Sequence, residues 1–376
     1  MKTQFLIFLF FIITISCSND SINSLNNDAR DVSTIFFEDI SYDIVVNPIV
    51  SDEPIESIMS ISGNNMEFVA LDSKLQTMYL IKNDTVVSKH KSVGRGPKEY
   101  SNITEIAYSP ERKTLYAYSP DKKGIFCYKM PKFEYVKSIR VFPEITGMHL
   151  IDNGNIIISC YNYEPSHNDC GIFLIDPQTE SINKVISTNY TNSIFTSSAS
   201  FFQKLDTLFF TLPESKTTIY KYYNDTLKPK LCINYKDMNF KKGLCDTDGN
   251  EMSDMIKFLT YRDEKDYAIG CYYMNISDSI FSYWHHPHIN KKYHDYLTVC
   301  KNGNCNNYII NIEGIKYRIF PQLLYDNIYS MIIEGDWQKK IDKNQNLSIT
   351  GNKIIKTMKE QNYDNPIILR FKLRDL

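Results

Sequence analysis

A short apolar strand, a tight polar turn and a second apolar or aromatic strand recur along this chain. That recurrence limits its possible folds more than any other feature. The unit appears as Ile58 to Leu71 (IMSISGNNMEFVAL), Ile103 to Ser119 (ITEIAYSPERKTLYAYS) and Met148 to Cys160 (MHLIDNGNIIISC). It returns as Phe201 to Thr211 (FFQKLDTLFFT), Tyr272 to Tyr283 (YYMNISDSIFSY) and Leu323 to Ile332 (LLYDNIYSMI). The turns fall near residues 63, 110, 153, 206, 278 and 326, mostly forty to fifty residues apart. Such a period, with several strands per unit, is the signature of propeller blades. One four-stranded blade cannot bury both faces, whereas blades stacked in a ring can, and closing the ring removes free ends. The expected fold is therefore all-β, a six-bladed β-propeller. Gly124 to Tyr128 with Glu134 to Val141, and Gly171 to Ile175 with Lys184 to Ile186, read as later strands of the second and third blades.

Two insertions interrupt the pattern. Asp237 to Ile269 lacks strand alternation and accounts for the long step between the fourth and fifth turns. Within it Met252, Met255, Ile256 and Leu259 recur at helical spacing, predicting a short helix near 250–265. Ile341 to Asp364 holds Ile354, Ile355 and Met358 at the same spacing, predicting a second near 350–360. The closing strand Pro366 to Leu373 and the early strand Tyr42 to Val46 are the candidates for a clasp that shuts the ring.

Before the repeats stands a different kind of segment. Lys2 is the only charge in the first nineteen residues, and Phe5 to Ile13 is an unbroken apolar run. A spanning helix needs roughly 20 apolar residues, so this run fits a secretory h-region instead. The small residue Ser16 then precedes Cys17, an arrangement that resembles the lipobox of bacterial lipoproteins, with Thr14 where leucine is usual. On that reading residues 1–16 are a signal peptide, Cys17 carries a diacyl anchor such as palmitate, and 17–34 form a polar, disordered tether. Residues 35–376 would be the propeller. The implied location is the cell envelope, lipid-anchored, at the periplasmic or surface face of the outer membrane.

The formal net charge of −2 argues against a nucleic-acid partner, which would need a basic field. Apart from Cys17 the cysteines are Cys127, Cys160, Cys170, Cys232, Cys245, Cys271, Cys300 and Cys305. One pair can be argued locally. Asn302-Gly303 is a strong two-residue hairpin turn, which sets Lys301 opposite Asn304 and Cys300 opposite Cys305. A non-hydrogen-bonded pair brings Cα atoms to about 4.5 Å, within disulfide range. Zinc is the rival reading, although no second Cys or His pair lies at zinc-finger spacing.

Two stretches carry a family resemblance: Val93 to Tyr100 (VGRGPKEY) and Asp364 to Leu369 (DNPIIL), which leads into the terminal strand. Both resemble motifs of the six-bladed β-propeller lipoproteins of Bacteroidota, relatives of NHL-type propellers. In that family the first motif usually reads Gly-x-Gly-Pro-Gly-Glu-Tyr, and Lys98 stands in place of its third glycine. The resemblance spans residues 35 to 375 and implies fold and family, but little about activity. The residues themselves read as a loop joining the first blade to the second. Arg95, Glu99 and Tyr100 then either reach a central channel or pin the loop to its neighbour.

Four of the seven histidines, His285, His286, His288 and His294, follow Tyr283-Trp284. Pro287 suggests an extended inter-strand loop there. His285, His286 and His288 are candidate transition-metal ligands, or with Trp284 an aromatic floor for a sugar or peptide. Asp246 to Glu251 invites a calcium reading but lacks the EF-hand spacing, and a turn is the better account. No cofactor is predicted, and calcium or zinc stays as the rival reading.

No catalytic motif stands out, so the leading functional expectation is a non-enzymatic, lipid-anchored binding or scaffold protein. Its partner would be a glycan, a peptide or another envelope protein. The alternative is a metal-dependent propeller hydrolase or lyase with its site at the central channel. A structural subunit of an envelope complex is a third reading.

Overall fold

The computed structural model describes residues 23–374 apart from 142–143, 152, 162–170, 188–200, 205–206, 213–214, 224–225, 236–265, 277–279, 291, 295, 313–314, 317–322, 335–346 and 361–364. The chain enters as β1 (Asn23–Asn26), β2 (Val32–Phe36), the single-turn helix α1 (Phe37–Ile40) and β3 (Ser41–Pro48). β4 (Ile58–Gly63), β5 (Glu67–Asp72), β6 (Thr77–Lys82) and β7 (Thr85–His90) then form one antiparallel sheet in chain order. β8 (Glu105–Ser109), β9 (Thr114–Ser119), β10 (Gly124–Lys129) and β11 (Glu134–Arg140) repeat that arrangement. So do β12 (Glu144–Leu150), β13 (Ile156–Tyr161), β14 (Gly171–Ile175) and β15 (Ile182–Ser187).

A larger sheet follows. It contains β16 (Phe201–Lys204), β17 (Thr207–Leu212), β18 (Ser215–Tyr223) and β19 (Thr226–Asn234) as one antiparallel run. β20 (Tyr267–Ile276), β21 (Ile280–Ile289), β23 (Tyr296–Lys301) and β24 (Asn304–Ile312) form a second. The two-residue strands β22 (Lys292–Tyr293) and β25 (Ile315–Lys316) pair with β21 and β24. The last sheet is β26 (Leu323–Tyr325), β27 (Ile328–Ile333), β28 (Ile367–Leu373) and, on its outer edge, β3. The fold is an all-β propeller.

Burial follows strand position, as the stacking argument requires. Middle strands are covered on both faces: Phe68, Val69, Ala70 and Leu71 of β5 are all fully buried. The outer strand β7 alternates between exposed and half-buried residues. Continuous apolar runs and alternation are the sequence forms of these two environments. Neighbouring sheets meet through apolar seams. Val69 and Leu80 of the first sheet pack with Ile106 and Leu115 of the second. Tyr118 and Ile125 of the second pack with Ile156 and Phe173 of the third.

The ring is closed as expected from the terminal strands. β28 pairs antiparallel with β3, from Ile367 opposite Pro48 to Leu373 opposite Ser41. Ile332 and Ile368 of this last sheet then pack against Ile61 and Phe68 of the first. Helix α2 (Ile349–Glu360) lies where the helical spacing predicted it. Ile354, Ile355 and Met358 bury beside Phe37, Ile40 and Phe371. The helix expected near 250–265 falls outside the described residues.

One expectation is overturned. Residues 23–34, expected as part of a disordered tether, belong to the fold. β1 runs parallel to β19 and β2 runs parallel to β24, so the segment lies along the outer edges of two successive units. A polar segment needs no core of its own when its backbone can pair with open strand edges. Here Leu25 and Ala29 also enter the apolar seam between those units.

Candidate functional site

A groove of about 560 Å³ opens between the second and third sheets. It is lined by turns that share one face of the propeller: Arg112 between β8 and β9, Asn153, Gly154 and Asn155 between β12 and β13, and Asp176, Pro177 and Gln178 between β14 and β15. Thr114 and Tyr116 of β9 form its wall. Each turn is held by its own hydrogen bonds. Asn155 N donates to Asn153 Oδ1 at 2.8 Å, and Gly154 N donates to Ile151 O at 2.8 Å. Gln178 N donates to Asp176 Oδ1 at 2.8 Å, and Thr179 Oγ1 donates to Asp176 Oδ2 at 2.8 Å. These donors, the Gln178 amide first and the Thr179 hydroxyl second, hold the Asp176 carboxyl below its ordinary pKa. Burial pushes the Tyr116 hydroxyl up to about 12, so it stays protonated.

Gly154 takes a φ of 92°, which residues with side chains rarely adopt. A Cβ on Gly154 would lie 2.7 Å from Arg112 Nη1. The missing side chain lets the guanidinium lie across the turn. The groove therefore presents a cation, amides, a carboxylate and a phenol, a set suited to hydrogen-bonding a polar ligand. Among the described residues its lining holds neither a nucleophilic thiol nor an imidazole.

The GRGPKEY segment is a self-braced loop. Glu99 Oε2 accepts from Gly96 N at 2.7 Å, and a Cβ on Gly94 would meet that oxygen at 2.1 Å. Lys122 Nζ reaches the carbonyls of Arg95 and Gly96, both at 3.2 Å. Arg95 itself is exposed. Tyr100 is fully buried in the seam between the first two sheets, and its hydroxyl donates to Gln76 O at 3.3 Å. Burial, partly offset by the Ser92 amide, pushes that hydroxyl up to about 12. Tyr100 is thus a packing residue of the seam.

The histidine segment also differs from its expected form. His285, His286 and His288 lie within strand β21 rather than in a solvated loop. Pro287 is accommodated because its fixed φ suits an extended chain, and its carbonyl accepts from His294 N at 2.9 Å. His285 and His288 are buried. Trp284 and His286 are placed here only as strand residues. Among the described residues no three His, Cys, Asp or Glu side chains converge as a metal site would need. Cys300 and Cys305 face each other across the β23–β24 hairpin, with Cα atoms 4.1 Å apart and their Sγ atoms bonded. Cys17 lies outside the described residues.

His285 is part of a buried polar chain that tethers the N-terminal segment. Tyr235 Oη lies 3.3 Å from His285 Nδ1, and Thr298 Oγ1 lies 2.8 Å from His285 Nε2. Thr298 Oγ1 donates to Asn307 Oδ1 at 2.6 Å. Asn307 and Asn27 then exchange amide hydrogen bonds of 2.8 and 3.0 Å, and Asn27 Nδ2 donates to Tyr283 Oη at 2.6 Å. Asn27→Ala would strand partners of this chain in the interior, at a cost of about 1–3 kcal/mol. It should also speed hydrogen exchange across residues 23–36. Unchanged exchange there would show that Asn27 does not secure the segment.

Sequence reasoning did not single out Glu105. It opens β8, the innermost strand of its sheet, and burial of its carboxyl pushes the pKa up to about 8 although part of the residue remains accessible. A lone acid between Ile103 and Ile106 was the available signal. The groove residues had no such signal, because three separate turns supply them.

The sequence model of a family described as Domain of unknown function (DUF4934) matches residues 87–372. No curated protein matches the sequence. A structure from Bacteroides fragilis NCTC 9343, described as an exported protein by inference, aligns with a TM-score of 0.73 at 14% identity, covering 94% of this chain and 100% of that one. A DUF4221 member from Bacteroides vulgatus aligns with a TM-score of 0.55 at 9% identity, covering 90% and 98%. At these identities the likeness concerns the fold. No helix among the described residues is long and apolar enough to cross a membrane.

Proposed function

Since the chain belongs to the DUF4934 family, a domain of unknown function, we propose that it is a six-bladed, lipid-anchored propeller of the cell envelope that binds a polar ligand or partner. The observation that carries the binding role is the groove: a cation, a carboxylate, amides and a phenol face one open space of about 560 Å³. A glycan or an extended peptide offers matching donors and acceptors.

The blade count is supported by the order of the sheets. Four stand alone, and the larger sheet contains two further four-strand runs, β16 to β19 and β20 to β24. Apolar seams join the third sheet to β17, the fourth run to the fifth, and the fifth to the last. The envelope location is supported by the apolar run Phe5 to Ile13 ahead of Ser16 and Cys17, and by the inferred export of the Bacteroides fragilis relative.

Two measurements test this reading. Binding to glycan and peptide arrays should be seen for the wild type and reduced tenfold or more by Arg112→Ala, about the worth of one charge-assisted contact. Equal binding by the variant would exclude the groove. Cys17→Ala should move the protein from the membrane fraction to the soluble one, and retention on the membrane would exclude the anchor.

A further inference from the structure

The placement of β1 and β2 bears on how such an anchored ring would stand. Asn23 pairs with Leu231 and Asn26 with Asn234 on the outer strand of the fourth unit, and Val32 to Phe36 pair with Asn307 to Asn311 on the outer strand of the fifth. This segment is locked rather than draped. Asn27 and Ala29 are fully buried, Asn27 N donates to Asn234 O at 2.8 Å, and Arg30 Nε reaches Asp266 Oδ2 at 3.2 Å. Only five residues, 18–22, separate Cys17 from Asn23, the first described residue, which pairs with Leu231. Six Cα steps span at most about 22 Å whatever path they take.

Exposed cations lie beside that point. Lys228 and Lys230 both lie on β19, next to the residues that pair with β1, and both are exposed. Lys301, opposite Asn304 where β1 meets β24, and Arg30 of the strap are also exposed, while Lys292 stands at the other end of β21. Asp28, Asp31 and Asp266 are the acids on the same strap and its contact, and Arg30 pairs with Asp266. Lysines within a Debye length of an anionic bilayer are each attracted by about 1 kcal/mol.

We propose that the propeller stands edge-on to the membrane. The outer rim of the fourth and fifth blades lies against anionic phosphate headgroups, and the first blade, three positions round the ring from the fourth, points away. This rests on the lipoprotein and six-blade readings above. It makes the N-terminal segment an orienting strap rather than a free tether.

The test uses the acylated full-length protein in vesicles containing anionic phospholipid, with a fluorescent amino acid at Thr226 on β19 or at Val87 on β7. Both sites are exposed. Energy transfer to a headgroup-level acceptor should be at least about twofold stronger from position 226 than from position 87, given a leash of roughly 22 Å. Inserting thirty Gly/Ser residues between Cys17 and Asn23 should abolish that difference and leave the protein anchored. Equal transfer from both sites with the native leash, in protein that sediments with the vesicles, would overturn the orientation while leaving the anchor intact. Wild-type protein found free of the vesicles would overturn the anchor and the orientation together.

Discussion

Asp84→Ala is expected to lower the unfolding free energy by about 3 kcal/mol, near the lower end for breaking a buried ion pair. Asp84 sits in the turn between β6 and β7 of the first sheet. Its carboxylate accepts two bonds from the Arg370 guanidinium on β28, one of them 3.0 Å, and a third from Asn47 Nδ2 at 2.6 Å. Its carbonyl accepts from Val50 N at 2.8 Å. The side chains of Arg370 and Asp84 are only 11% and 15% exposed, so water can replace the lost partner only in part. One residue thus ties the first blade to both strands of the clasp. Urea denaturation of the wild type and of Asp84→Ala would measure the loss, and Asp84→Asn, which keeps the shape, should lose less. A change below about 1 kcal/mol, the range of surface pairs, would mean that the ring closes without this contact.

Glu105→Gln is expected to act in the opposite direction. With its carboxyl pKa raised to about 8 in the fold, from 4.5 in the absence of burial, the native state holds a proton that the unfolded chain releases over that interval. The native state then binds more protons than the unfolded one, so stability falls as pH rises from about 4.5 to about 8. Glutamine removes the titration. The variant should match the wild type near pH 4.5 and exceed it above pH 8, by at most about 4 kcal/mol once partial solvent access is allowed for. Thermal unfolding from pH 4.5 to 9 would show the divergence, and parallel curves would refute it.

Glu67 shows what Glu105 lacks. Burial raises its pKa too, but Lys113 Nζ at 2.7 Å, the Tyr108 hydroxyl and Lys82 Nζ at 3.4 Å outweigh that and lower it overall. Its contribution to stability is present above the unfolded pKa and is lost as pH falls through the lowered one. Two acids in adjoining sheets therefore titrate in opposite directions, and only the partners within hydrogen-bonding reach decide which.

What the chain reveals before folding is local. Each inner hairpin lies within about a dozen residues, and its alternation and turn chemistry are written there. Asp326 and Asn327, for example, take φ of 49° and 60° in the turn between β26 and β27. Helix α2 and the facing of Cys300 and Cys305 are legible for the same reason. The clasp was legible because a ring needs one and the two end strands were the candidates.

The rest depended on contacts distant in sequence. β1 looked like tether because its composition is polar, and its partners on β19 and β24 lie more than 200 residues away. His285 looked like a loop residue beside Pro287, yet Tyr235, Thr298 and the rings of Tyr283 and Tyr296 enclose it. The groove takes its chemistry from three turns, none distinctive alone. The repeat by itself determined the propeller, since a sheet with two apolar faces must stack and the stack must close. Where that ring carries its strap, its unpaired carboxyl and its groove was decided only in the tertiary structure, because burial and hydrogen bonding are set by neighbours in space.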